Sequence, residues 1–132
     1  MPQYVEYGPD QYMDPNGSSL MGYVTATYGE LVGLFGEPNC PPGDKTWNSW
    51  DLCFTVFEDD EGEGREGWYS QDIYASIYDW KEMGPEASRN GDESGKYRWH
   101  IGGFREKEHR ADWLVSDLVG QTDAAEYTFE RR

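Results

Sequence analysis

Residues 47–57 read Trp47-Asn48-Ser49-Trp50-Asp51-Leu52-Cys53-Phe54-Thr55-Val56-Phe57, and from position 50 the chain alternates strictly. Trp50, Leu52, Phe54 and Val56 fall on one side, and Asp51, Cys53 and Thr55 on the other. A period of two marks a strand with one buried and one wetter face. Residues 69–81 repeat the pattern, with Ile73, Ala75 and Ile77 against Tyr74, Ser76, Tyr78 and Trp80. A third run, residues 96–103, sets Tyr97, Trp99 and Ile101 opposite Arg98 and His100. Polar segments with glycine separate the runs at 58–67 and 83–95, so the spacing predicts an antiparallel meander with both segments as loops.

Helical signals flank these strands. Thr27-Tyr28-Gly29-Glu30 is a capping box, in which each side chain satisfies the other residue's backbone N–H. Leu31, Leu34 and Phe35 follow at helical spacing with Val32 beside them, and Gly36 and Pro38 stop the helix, which is expected over 28–35. The segment from Asn39 to Asp44, with Pro41 and Pro42, is a rigid turn. Residues 106–121 predict a longer helix whose stripe holds Trp113, Leu114 and Leu118, with His109 or Arg110 as an alternative further member, extended by Val115 and Val119. The fold class expected is α+β: a three-stranded antiparallel meander with a short N-terminal helix and a longer C-terminal helix packed on one face. Residues 1–24 read as an extended arm, with 21–24 the one place for an edge strand. Residues 25–121 form a single domain, and 122–132 are an acidic tail that ends in Arg131 and Arg132. The expected core is Leu52, Phe54, Ile73, Ile77, Trp99, Trp113, Leu114 and Leu118.

Length and charge narrow the function classes. At 132 residues the chain suits one domain, and 26 acidic against 11 basic residues leave a net charge of −15. That excess opposes binding to nucleic acid, which requires basic groups that displace counterions, and to anionic membranes. No apolar run approaches the roughly 20 residues of a membrane span, and no basic start precedes an apolar stretch, so a cytoplasmic protein is expected. Leu, Ile, Val and Phe total only 20 residues, a proportion typical of disordered chains; six Trp and ten Tyr supply the missing core area.

Chemistry-bearing motifs are sparse. Cys40 and Cys53 are the only cysteines, too few for a disulfide scaffold or a zinc cluster, and are read as free thiols. No nucleophile elbow or phosphate loop occurs, and His100 and His109 read as structural and exposed residues respectively. No catalytic residue, cofactor or metal is therefore assigned. The run Asp59, Asp60, Glu61, Glu63, Glu66 lacks the order of a calcium loop, which leaves a solvated charge run or a partner surface. Residues 1–66 carry 13 acids against 2 bases, the second half 13 against 9, so the negative field is concentrated. Such a field steers a basic partner.

Three blocks carry a family resemblance: Glu30-Leu31-Val32-Gly33-Leu34-Phe35-Gly36-Glu37-Pro38-Asn39, Ile77-Tyr78-Asp79-Trp80-Lys81 and Trp99-His100-Ile101-Gly102-Gly103. Together they resemble a group of small accessory proteins of tailed bacteriophages. The resemblance covers about residues 27–103 and implies a phage origin, without implying a reaction. With the charge, it leads to the expectation of a non-enzymatic inhibitor of a host nucleic-acid-handling defence complex, of anti-CRISPR or anti-restriction type, acting in the host bacterial cytoplasm. The partner is a basic host protein or ribonucleoprotein, bound without direct contact to nucleic acid or membrane. Asp59, Asp60, Glu61, Glu63, Glu66, Tyr74, Tyr78 and Trp80 are the expected partner-binding residues. The alternatives are a nucleotide-signal binder that stacks its ligand on Trp99 or Trp80 beside Arg98, His100 and the Gly102-Gly103 turn, and a phage morphogenesis factor.

Overall fold

The computed structural model describes residues 3–10, 17–41, 46–58, 69–80, 86–104, 109–120 and 127–132. In chain order its elements are β1 (Gln3–Pro9), β2 (Ser19–Thr27), α1 (Tyr28–Phe35), β3 (Ser49–Glu58), β4 (Tyr69–Tyr78), α2 (Ala87–Asn90), β5 (Lys96–Gly103), α3 (Ala111–Gly120) and β6 (Tyr127–Arg131). The six strands make one sheet in the order β2-β5-β4-β3-β1-β6. Neighbours are antiparallel except β1 and β6, which run parallel.

This corrects the expected three-stranded meander with a helix at each end: the protein is mostly sheet, six-stranded and mixed, with three short helices among the described residues. The three strands expected from alternation are neighbours, with Trp50 opposite Ile77, Phe54 opposite Ile73, and Ile77 opposite Ile101. What alternation missed lies at the two chain ends. The stretch read as an arm holds β1, which pairs with β3 through Val5 opposite Val56 and Tyr7 opposite Phe54. It also holds most of β2, an edge strand that includes the 21–24 allowed for one and runs beyond it, paired with β5 along its length. The stretch read as a tail holds β6, seated on β1. Among the described side chains, Val5 and Tyr7 of β1 turn toward the core, and Phe129 is the core contact of β6. One or two inward residues make no readable period, and pairing with a distant strand supplies the rest.

The core fills the inward face. Val5, Tyr7, Val24, Ala26, Trp50, Leu52, Phe54, Val56, Ile73, Ala75, Ile77, Trp99 and Ile101 pack against Leu31 and Phe35 of α1 and against α3. Rings carry much of it: Trp50 and Trp99 meet edge to face at 5.3 Å, and both are fully buried. Their indole N–H groups donate to Gly36 O and Ala26 O. The capping box forms as expected, with Glu30 N donating to Thr27 Oγ1 and Thr27 N donating to Glu30 Oε1.

Helix α3 starts later than expected and turns another face inward. Its buried stripe is Ala111, Leu114, Val115 and Leu118, while Trp113 is 53% exposed. The cause is close approach to the sheet. A Cβ on Gly103 would stand 2.6 Å from the Ala111 Cβ, and one on Gly22 would stand 3.0–3.1 Å from Asp112 atoms. At its first turn the helix can sit this near only with a residue as small as Ala111 inward, which rotates Trp113 out, against the Arg110 guanidinium at 5.2 Å. His109, read as exposed, is buried just before this helix. The segment read as the loop 83–95 contains α2, a single helical turn.

Leu114→Ala is expected to cost about 2–5 kcal/mol, the range for a buried leucine. Trp113→Ala is expected to cost under about 1 kcal/mol despite removing more atoms, because the ring is half in water. Urea unfolding of the two variants checks the order.

Candidate functional site

The outer face of the sheet carries Tyr23 and Thr25 on β2, Arg98 and His100 on β5, Tyr74, Ser76 and Tyr78 on β4, and Asp51, Cys53 and Thr55 on β3. Toward β1 this face is closed. Arg132 reaches over it to the Thr55 hydroxyl, and Phe104 lies 6.0 Å from the Tyr74 ring, leaving Cys53, Thr55 and Tyr74 buried. Toward β2 it stays half open.

There the register sets rings in a row. Tyr78 and Tyr23 both pair with His100, each 5.1 Å from it, Tyr78 stacked and Tyr23 tilted. Trp80, just past β4, also stacks on His100 at 5.4 Å. Trp80 is 38% and Tyr23 41% exposed, and the Arg98 guanidinium lies 3.8 Å over the Tyr23 ring. His100 Nδ1 is buried with no hydrogen-bond partner among the described residues. Burial, and then the Arg98 charge, hold the imidazole pKa below its ordinary value.

Beside this row is an open cleft of about 420 Å³ lined by Thr46, Ser49, Asp51, Tyr74, Ser76, Tyr78 and Trp80. The Tyr74 hydroxyl donates to Asp51 Oδ1 at 2.6 Å, and burial together with that carboxylate pushes the Tyr74 pKa far up. Burial, then Asp51, likewise lifts the Cys40 thiol to about 11, so it stays protonated at neutral pH. Gly102 makes room for Ser76, because a Cβ there would stand 2.5 Å from Ser76 Oγ. Gly102 and Gly103 thus serve close packing within β5; the turn expected at these residues is strand.

One buried carboxylate holds the cleft mouth. Asp79 follows Tyr78 and accepts from Trp47 N, Asn48 N, Asn48 Nδ2 and the Ser88 hydroxyl, all within 2.7–3.0 Å. Asp79 N also donates to Asn48 O. The start of β3 and the end of β4 are thereby tied together, with Thr46 and Trp80 on either side of the knot.

Of the residues expected to meet a partner, Tyr74, Tyr78 and Trp80 share this cleft. Tyr74 is buried and acts on Asp51, which leaves Tyr78 and Trp80 as the accessible rings. Asp59, Asp60, Glu61, Glu63 and Glu66 lie outside the described residues. The residues flanking them, Glu58 and Tyr69, pair at the opposite end of the β3–β4 hairpin, roughly 17–30 Å along the strands from the residues that line the cleft. Trp99 is fully buried and offers no stacking surface, which removes half of the nucleotide platform considered from sequence. Asp51, Ser49 and Tyr23 escaped sequence reasoning as site residues. Strict alternation already placed Asp51 on the outer face, and only the register of β3 against β4 sets it beside Tyr74. Among the described residues no group of three or more His, Cys, Asp or Glu could hold a metal ion, and no helix is long and apolar enough to cross a membrane.

Asp79→Ala would strand four donors, three of them buried, and is expected to cost about 3 kcal/mol in urea unfolding. Because the His100 pKa is lowered by folding, the unfolded chain takes up this proton first as pH falls. Stability from this group is present above about 6.5 and lost as pH drops below it. His100→Gln is therefore expected to give a shallower fall of melting temperature on the acid side of 6.5, read as slope against pH.

No protein-family model, curated protein or solved structure matches the chain.

Proposed function

We propose that this protein is a non-catalytic inhibitor that docks the half-open side of its outer sheet face onto a basic surface of a nucleic-acid-handling complex of the host, of CRISPR or restriction type. The observation that carries the reading is the pair of accessible rings, Tyr78 and Trp80, set beside the Asp51 carboxylate on a sheet face that no described helix covers. Tyr and Trp are the commonest anchors of protein interfaces because they bury large area at small entropic cost. The net charge of −15 adds long-range attraction to any surface built to hold phosphates. The resemblance of three sequence blocks to phage accessory proteins favours a host defence complex among such partners. The acidic run at 59–66 contributes to the field that steers encounter, while the ring-and-carboxylate face makes the contact.

Affinity capture from a bacterial lysate at low salt is expected to retain a nucleic-acid-binding complex. Retention should fall several-fold when salt is raised threefold or when competing duplex DNA is added, as an electrostatic contact in a nucleic-acid channel requires. A paired Tyr78→Ala, Trp80→Ala variant should lose it. Retention of virion structural proteins instead, indifferent to DNA, would falsify the reading in favour of a morphogenesis role.

A further inference from the structure

The cleft has a chemistry more specific than an acidic surface. Among the described residues it is lined by the rings of Tyr74, Tyr78 and Trp80, the hydroxyl-bearing Thr46, Ser49 and Ser76, and one carboxylate, Asp51. Asp51 is held in place through its main chain. Its N–H donates to Asn39 Oδ1 at 2.7 Å, and its carbonyl accepts from Asn39 Nδ2 at 2.8 Å and Asp10 N at 2.9 Å. Its side chain is oriented by the Tyr74 hydroxyl. Among the described residues no lysine or arginine forms an ion pair with it. A half-buried, oriented carboxylate has lone pairs to spare beyond the Tyr74 phenol and the Cys40 thiol, and a cationic partner would offset its partial removal from water.

We propose that this cleft receives an arginine side chain of the protein partner, its guanidinium on Asp51 and its plane against Tyr78 or Trp80. This deepens the docking reading above and rests on it. A phosphate-bearing ligand is disfavoured by the carboxylate, and one carboxylate among neutral hydroxyls is a poor ligand set for a hard cation. Arginine fits better than lysine because a flat, weakly hydrated guanidinium both stacks on rings and offers parallel donors to a carboxylate. The same face already seats one, with Arg98 at 3.8 Å over Tyr23. Two further pairs, Arg89 over Tyr28 and Arg110 over Trp113, show the same affinity of ring and guanidinium elsewhere in the chain. A volume of about 420 Å³ accommodates one extended side chain with water around it.

The test is an NMR titration of the full chain at low salt with a hexa-arginine peptide and, separately, a hexa-lysine peptide. Both carry the same charge, so general attraction to a protein of net −15 cancels in the comparison. Expected are saturable shifts at Asp51, Tyr78 and the Trp80 indole, with hexa-arginine at least tenfold tighter than hexa-lysine. Asp51→Asn should weaken hexa-arginine about tenfold. Asp72→Asn, an exposed carboxylate on the same face but outside the cleft, should change it less than twofold. Trp80→Ala, at an exposed position, provides a second variant should Asp51→Asn disturb folding, and is expected to weaken hexa-arginine several-fold more than hexa-lysine. Equal affinity for the two peptides, shifts confined to residues outside the cleft, or equal effects of the Asp51 and Asp72 changes would each overturn the arginine site. None of those outcomes touches the docking reading, which stands or falls on the captured complex and its competition by DNA.

Discussion

The Asp79 carboxylate is the constraint on which the functional end of this molecule depends. Both of its oxygens are engaged, in a place where Asp79, Asn48 and Ser88 are almost wholly out of water. The Asn48 amide turns its oxygen to the Arg89 guanidinium, so the positive charge of α2 reaches the buried anion through one intervening side chain. A buried carboxylate is tolerated only when its hydrogen bonds are nearly complete, and completing these four donors fixes three separate segments at once. The start of β3, the end of β4 and the single turn of α2 are thereby locked together. The residue on each side of Asp79 then has little freedom: Tyr78 stays on the outer face, and Trp80, whose N–H donates to the Tyr97 hydroxyl, is turned back over the sheet onto His100.

Two carboxylates therefore have opposite roles a few residues apart in space. Asp79 is saturated and serves the fold. Asp51 is held by the Tyr74 phenol and the Cys40 thiol and left with capacity for an external donor. The thiol of Cys40 and the hydroxyl of Tyr74 near Asp51 stay protonated, so they add polarity without charge and leave Asp51 as the single anion lining the cleft among the described residues. The aromatic row on His100 supplies the apolar half of the same surface. With aliphatic side chains scarce, the protein builds its core from Trp50, Trp99, Phe54 and Tyr7, and places further rings at the surface for contact.

Much of this was legible in local sequence wherever the period was long enough to count. Alternation over Trp50–Val56 and Ile73–Ile77 correctly separated the core side from the outer side, and the capping box at Thr27 and Glu30 located α1 to the residue. These features depend on neighbours within a few positions, and sequence displays those directly. The inward residues Val5 and Tyr7 of β1, and Phe129 of β6, carry no such periodic signal. Those strands exist because β1 finds β3 some fifty residues away and then offers its other edge to the chain's last residues, a choice made by pairing and not by propensity. The phase of α3 was equally hidden. Trp113 reads as core by its chemistry, yet Gly103 and Gly22 let the helix approach so closely at its first turn that Ala111 is the residue set against Gly103.

The sequence by itself determined the chemistry available: a strongly acidic, ring-rich chain with two thiols, two histidines and three alternating segments whose outer residues include Asp51, Tyr74, Tyr78 and His100. Tertiary structure alone decided which of those meet. Register put Tyr78 and Tyr23 on His100 and Tyr74 on Asp51, and it set the hairpin end that leads into the acidic run far from the cleft. The physical reason is that a strand's side chains alternate by local geometry, whereas the partner across the sheet is selected by burial summed over the whole core. A site assembled across four strands and two loops is a property of that sum.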